Sequence, residues 1–444
     1  MDASSDIAIV GGGLSGLAAA LALASAGRQV TVFEARPFLG GRATSYPLNT
    51  ADEEDVTIDN CQHVLLRCCA NLMDFYCRLG VADRIQFSWE FHWIEPGGRI
   101  SVMRRGLLPA PLHFTESFAT LKFLSLRDRI GIGRALLMVR REYRTRTDLD
   151  SITMMDWLRE RKQTPRAIER FWRQVLVSAI NEELERMAAV HGLQVFAVGF
   201  LSSAAAYEMG VPNVPLADLY GAAAWARWPQ VKFAYRSNVQ QVQIEDDRFA
   251  GLVVNGNLLP AAACVIAVPF EKVAAIAPSL ALNLSGFTHS PITGIHLWFD
   301  RPITDLPHAT LLDRTMQWMF NKGEGKHIQL VVSASRGLVE MGRAEVIELA
   351  VRELKEFFPK AGEAVLERAH VVKEVRASFS AAPGLEALRP ESKTSIANLY
   401  LAGDWTRSGW PATMEGAVRS GYLAAEALLQ EQGGTAKFLL PDVA

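Results

Sequence analysis

No stretch of this chain of 444 residues reaches the ~18 consecutive apolar residues of a membrane-spanning helix, so such a span is excluded. Cysteine is scarce: Cys61, Cys68, Cys69, Cys77 and Cys264 are odd in number, and four crowd near the N-terminus. That excludes a disulfide framework and predicts a reducing cytoplasm. No Cys-x₂₋₄-Cys pair occurs, and Cys68 and Cys69 are adjacent, so zinc is not expected. Charge of either sign is balanced, 46 basic against 48 acidic residues, and nothing resembles a nucleic-acid recognition module. The acidic start, MDASSDIAIV, runs straight into a strand, so no secretory leader is expected. Internal repeats and low-complexity linkers are missing too. A chain this long needs more than one hydrophobic core, so two domains are expected.

What is present begins with a βαβ unit. Residues 6–10 (DIAIV) predict a buried strand, 14–26 an apolar helix, and 29–34 (QVTVFE) a second strand. Between the first strand and the helix lies Gly11-Gly12-Gly13-Leu14-Ser15-Gly16, which fits G-x-G-x-x-G. Gly11 permits the tight turn, Gly13 lets backbone approach a pyrophosphate, and Gly16 lets helix and strand pack closely. Glu34, 18 residues after Gly16, ends the second strand where a carboxylate can accept from a ribose. Strand, helix and acid in this register point to a dinucleotide. Further along, a hairpin is predicted over 85–104, turned at Pro96-Gly97-Gly98, and a helical region from about 114 to 190. Strands are predicted at 231–236, 238–244, 250–254, 263–268, 292–299, 327–333 and 398–402, with helices at 343–358 and 414–429.

Two stretches decide which dinucleotide. After Glu34 comes Ala35-Arg36-Pro37-Phe38-Leu39-Gly40-Gly41-Arg42, and near the C-terminus LYLAGDWTRSGWPATMEGAVRSGYLAAEAL, residues 399–428. Here the sequence resembles the flavin-dependent amine oxidase and carotenoid desaturase superfamily. The resemblance implies FAD, with Gly41 and Arg42 at its pyrophosphate and flavin, and Gly403-Asp404 offering a carboxylate to the ribityl chain. It also implies a helix from Thr413-Met414 aimed at the flavin ring, and a backbone contact from Val239 to adenine. A helix N-terminus there can stabilise negative charge on the reduced ring. The implied fold is α/β, a Rossmann-type FAD-binding domain interleaved with an α+β substrate domain, amine oxidase-like. The expected parts are 1–89, 191–289 and 386–444 for FAD, with 90–190 and 290–385 for substrate.

The stretch Asp59-Asn60-Cys61-Gln62-His63-Val64-Leu65-Leu66, together with Asp404-Trp405-Thr406 and Trp410-Pro411-Ala412-Thr413-Met414-Glu415-Gly416-Ala417, resembles the hydroxysqualene dehydroxylases of hopanoid pathways, though Arg67-Cys68-Cys69 stand where that group has small residues. Cys61 stands where that group usually has glycine. The resemblance implies that an allylic hydroxyl is protonated and lost, and that hydride from FAD replaces it. His63 and Glu415 are then candidate acids, Cys61 lies beside the flavin, and Trp405 and Trp410 are candidate walls. Phe171, Trp172, Trp298, Phe299, Trp318, Met319 and Phe320 are available for a tunnel holding a lipophilic C30 isoprenoid. The electron donor stays open among NAD(P)H, a reductase and a ferredoxin.

From Arg104 to Arg146 ten Lys or Arg stand against three acids, interleaved with large apolar residues. This pattern suits a surface docked on an anionic bilayer, or a helical subdomain with a basic face. The expected location is cytoplasmic, peripheral to the inner face of the membrane. Rival functions remain a carotenoid-type desaturase, an amine oxidase, and a lipid-binding protein that keeps FAD as structure.

Overall fold

The computed structural model describes residues 6–48 and 56–442; the reading of the first five residues falls outside them. Ile7–Val10 is buried at all four positions, as a central parallel strand covered on both faces must be: Ile7 and Ile9 share a core with helix Leu14–Ser25, and Ala8 and Val10 one with Val242 and Leu252. It lies in the middle of a five-stranded sheet ordered Val231–Ala234, Val30–Phe33, Ile7–Val10, Ala263–Ile266, Leu399–Leu401. Every pairing in this sheet is parallel. The apolar helix Leu14–Ser25 and the C-terminal helix Met414–Glu431 cross in close contact. Gly421 makes the crossing possible, since a Cβ there would lie 2.2 Å from the Ser15 carbonyl oxygen.

Val239–Glu245 and Arg248–Val254 form an antiparallel hairpin. Asp246 and Asp247 turn it with φ of 48° and 55°, as their place between the predicted strands requires. Asn257–Pro260 adds a third strand that was not predicted.

The second large element is a seven-stranded sheet, ordered Leu366–Phe379, His289–Phe299, His327–Ser333, Trp318–Gly323, His308–Leu311, Glu90–Glu95, Arg99–Arg104. The predicted hairpin is there, but only from Glu90; Ile85–Ser88 pairs instead with Met209–Pro212. Leu366–Phe379 was missed. Its LERAHVVKEVR carries charge in place of a clean alternation, which suits the sheet edge it occupies. Helices between Thr115 and Gln194 cover one side of this sheet, and Thr164 caps the predicted helix start by accepting from the Ala167 N–H. The winding widens to π-type turns over Ile168–Trp172 and Val195–Phe200. The second of these stretches borders the cavity described next.

Candidate functional site

One cavity of about 710 Å³ runs from the glycine turn of the first sheet into the space between the helices and the second sheet. Its two ends are built differently.

The first end is backbone and charge. Gly11 has φ of +110°, and a Cβ would lie 2.5 Å from the Ala267 carbonyl oxygen, so only glycine fits. Gly13 caps the helix Leu14–Ser25 with no side-chain acceptor, which leaves the first-turn N–H groups for an anion. The Glu34 carboxylate fixes the turn by accepting from the Gly12 N–H at 2.7 Å and the Arg36 N–H at 2.8 Å. Each oxygen keeps a lone pair for a ribose hydroxyl. Gly11, Gly13, Leu14, Ser15, Glu34, Ala35, Gly41, Arg42, Val239, Gly403, Asp404, Thr413 and Met414 all line the cavity. Gly16 does not; it packs, since a Cβ there would fall 2.0 Å from the Gly11 carbonyl oxygen. Arg42 donates to Asp404 Oδ1 at 2.7 Å, joining two motifs 362 residues apart. Thr413 caps Met414–Glu431 by accepting from the Gly416 N–H at 3.0 Å, with that helix start on the cavity wall. This cradle fits FAD: an anion-ready helix start, a ribose acceptor, an adenine-side strand and a second helix start are all present.

The second end is apolar. Phe91, Trp93, Phe200, Trp318, Phe320 and Met103 line it, with Val195 and Val198 from the π-type turn. Trp318 and Phe320 face the chamber because they are two apart on one strand, while Met319 between them enters the core on the other side. Phe171, Trp172, Trp298 and Phe299, expected in the tunnel, are off the wall. Phe171 and Trp172 pack in the helical core, Trp298 stacks on His327 at 4.3 Å, and Phe299 is buried behind the sheet.

The proposed catalytic groups fare unequally. His63 lines the chamber, and its Nε2 lies 3.1 Å from Asn60 Oδ1. Burial pushes the imidazole down to about 4; Lys322 and Arg42 add to this and Asp59 opposes it. A neutral ring therefore donates Nε2–H to Asn60, whose amide in turn donates to the Arg42 carbonyl at 2.6 Å. Cys61 is not on the wall. It lies buried against the seven-stranded sheet, where desolvation first, then Glu374 and Asp59, push its thiol up to about 12. No thiolate is available there.

Trp405 is also off the wall. It is fully buried, its indole N–H donates to the Val268 carbonyl at 2.9 Å, and it backs the Gly403 turn. Trp410 does line the cavity, with its N–H on Asp442 Oδ1 at 2.9 Å. Glu415 borders the cavity, but its carboxylate accepts from the Asn71 N–H, Asn71 Nδ2 and the Leu72 N–H. Burial raises its pKa while those donors oppose the shift, and the group ties two helix starts together. It is a clamp and not a free acid.

Among the polar groups on the cavity wall that sequence reasoning overlooked are Ser178, Asn181 and His191. Asn181 sits at φ +59° and donates to the Ser290 carbonyl and Ser378 Oγ. No motif marks any of them, because their neighbours come from distant strands.

A parallel sheet with a dinucleotide cradle, opening into an apolar chamber under a second sheet, defines a flavin oxidoreductase. The chain belongs to the flavin containing amine oxidoreductase family, whose model matches residues 14–429. It is 25% identical over 480 residues to a zeta-carotene desaturase of Synechocystis sp., covering 96% of this chain and 97% of that one. To a 15-cis-phytoene desaturase of Synechococcus elongatus it is 26% identical, covering 96% of each. Among solved structures it is similar in fold to a putrescine oxidase bound to putrescine, with TM-score 0.71, 15% identity, and 96% and 99% of the two chains covered.

Proposed function

We propose that this protein removes the allylic hydroxyl of hydroxysqualene and puts hydride in its place, giving squalene. The observation that carries this reading is the chamber. It is walled by aliphatic and aromatic side chains, and each carboxylate bordering the cavity is already engaged. Glu34 holds two backbone N–H groups, Asp404 holds Arg42, and Glu415 holds Asn71 and Leu72. A protonated amine entering such a space would have no counter-charge, whereas a neutral isoprenoid needs none. Aromatic faces such as Trp318 and Phe320 tolerate the cationic character that develops when an allylic C–O bond breaks. Bound FAD supplies the hydride at its N5. The resemblance of residues 59–66, 404–406 and 410–417 to the dehydroxylases favours this direction.

A second reading has its own support: the curated relatives are carotenoid desaturases matched along nearly the whole chain. The same cradle and chamber would then accept hydride from a polyene. One anaerobic experiment separates the two. Flavin reoxidation with stoichiometric squalene after hydroxysqualene is added to the reduced protein supports the first. Reduced flavin that stays reduced, with oxidised protein bleached by phytoene or zeta-carotene, establishes the second.

We also propose delivery from the inner membrane face. Leu107, Leu112, Leu126 and Leu137 are exposed, Leu107 at 97%, among the arginines of residues 104–146. The chamber end formed by Phe91, Met103 and Phe200 adjoins that segment, with the Phe114 ring tilted against Phe200 at 6.1 Å between centroids. No described helix is long and apolar enough to cross a membrane. Reversing Arg140, Arg141 and Arg144 to Glu should release the protein from anionic vesicles, at ~1 kcal/mol per charge removed. Unchanged co-sedimentation would refute the docking surface. The electron donor, whether NAD(P)H, a reductase or a ferredoxin, would meet the flavin side.

A further inference from the structure

An isoprenoid alcohol differs from its hydrocarbon by one hydroxyl, and an apolar chamber can tell them apart only through a polar group left free on its wall. Several wall groups are already spent on the protein itself. Ser178 Oγ accepts from the Trp318 indole N–H at 2.6 Å and donates to the Gln174 carbonyl at 2.7 Å. Asn181 donates to the Ser290 carbonyl and Ser378 Oγ, and its own oxygen accepts from the Ala334 N–H at 2.7 Å. Gln62 Oε1 accepts from the Lys322 ammonium at 3.1 Å.

His63 is set differently, because backbone groups dictate its tautomer. Asn60 Oδ1 accepts from the Thr44 N–H at 3.3 Å, and Asn60 Nδ2 donates to the Arg42 carbonyl at 2.6 Å. One partner can only donate and the other only accept, so the amide has a single orientation. His63 Nε2, 3.1 Å from Asn60 Oδ1, must then carry the ring hydrogen, and the lone pair sits on Nδ1. Nδ1 has no hydrogen-bond partner in the protein, yet it is not sealed: the ring is partly exposed and lies on the cavity wall. Burial holds the ring neutral, with its pKa down at about 4; Lys322 and Arg42 add to this, and Asp59 opposes it. The segment is anchored as well, since Asp59 Oδ1 accepts from Ser45 Oγ at 2.7 Å and from the Leu216 N–H at 3.0 Å. The free lone pair is therefore fixed before any substrate arrives.

We infer that His63 is the group that recognises the substrate's hydroxyl, its Nδ1 accepting a hydrogen bond from the O–H of the allylic alcohol. The inference rests on the dehydroxylase reading and makes His63 an acceptor in place of an acid. The bond holds the oxygen against the chamber wall and leaves the oxygen's own lone pairs free to receive a proton. Squalene has no hydroxyl to offer, so the product is held less tightly than the substrate and leaves. A polyene substrate, also a hydrocarbon, would make no use of Nδ1.

The test uses the flavin-loaded protein in its oxidised state, which has no hydride to give and so cannot turn over. Hydroxysqualene and squalene are titrated in detergent and followed by tryptophan fluorescence, since Trp93 and Trp318 line the chamber. Wild type should bind hydroxysqualene about tenfold more tightly than squalene, and equally so from pH 8 to pH 6, because the ring stays neutral. His63→Phe keeps a ring and removes the acceptor. The preference should vanish, with squalene binding and the flavin spectrum as in wild type. His63→Gln, whose amide oxygen can accept, should restore part of the preference. Nitrogen-15 spectra of labelled histidine should show the neutral Nε2–H form of His63 at pH 7, with an Nδ1 signal that moves on adding hydroxysqualene and not squalene. Equal affinities in wild type, a preference that survives His63→Phe, or a flavin spectrum altered by that variant overturns the inference. The dehydroxylase reading survives that result if the reduced wild type still converts hydroxysqualene to squalene. A reduced protein inert to hydroxysqualene overturns both.

Discussion

The cradle and the chamber share one cavity but obey different physics. The cradle is made of backbone N–H groups, glycines with no room for a Cβ, and an ion pair. Its geometry tolerates almost no substitution, and it recognises phosphate and ribose wherever the fold occurs. The chamber is made of side-chain surface. Its shape depends on which rings the second sheet and the helices bring together, so it can change substrate without changing cofactor chemistry. This contrast explains why the chain shares a fold with a putrescine oxidase while its own chamber offers no free counter-ion for an amine.

The largest effect should come from the cradle. Gly11→Val places a branched side chain where even a Cβ would meet Ala267, and the purified protein should carry no flavin by absorbance. Flavin retained at wild-type stoichiometry would show that the turn can move. Next is acid. His63, His191, His296 and His308 sit at about 4 and His327 at about 3, all through burial first, and all lie on the chamber side of the molecule. Unfolded histidines protonate near 6.5, so between 6.5 and 4 the unfolded state binds more protons and stability falls as pH drops. The loss is on the order of 1–3 kcal/mol for each histidine. Thermal melts should lose several degrees per pH unit in that window, and a flat Tm would contradict the burial of these rings.

Arg42→Ala should weaken FAD by about 2 kcal/mol, since it leaves Asp404 unpaired at the cavity wall, without altering the lipid chemistry of the protein that remains loaded. Fluorescence titration of the apoprotein measures this. The smallest effect belongs to the chamber. Trp318→Ala should raise KM for the lipid about tenfold and leave flavin affinity unchanged, because the apolar wall and the indole's hydrogen bond to Ser178 Oγ are lost while the cradle is untouched. A parallel loss of flavin would mean that the two ends are not independent.

The legible part of the site matches this division. The G-x-G-x-x-G turn, Glu34, Gly41-Arg42, Gly403-Asp404 and Thr413-Met414 were readable because backbone recognition needs contiguous residues with fixed φ, and that leaves a spacing. Three candidates named beside them proved to be structural. Cys61 packs under a sheet, Trp405 backs a turn, and Glu415 clamps two helices. Being adjacent to a motif neither placed the Cys61 and Trp405 side chains on the cavity wall nor left the Glu415 carboxylate free. The edge strand Leu366–Phe379 was hidden by its charges, which alternation rules treat as loop.

By itself, then, the sequence determined the βαβ cradle, the flavin and the flanking helix starts, since local periodicity and glycine spacing impose them. Only the tertiary structure decided the chamber. His191 meets Glu386 across 195 residues of chain, and Trp318 meets Ser178 across 140. Contacts of that kind are set by how two sheets and a helical layer close on one another, and no local pattern records them.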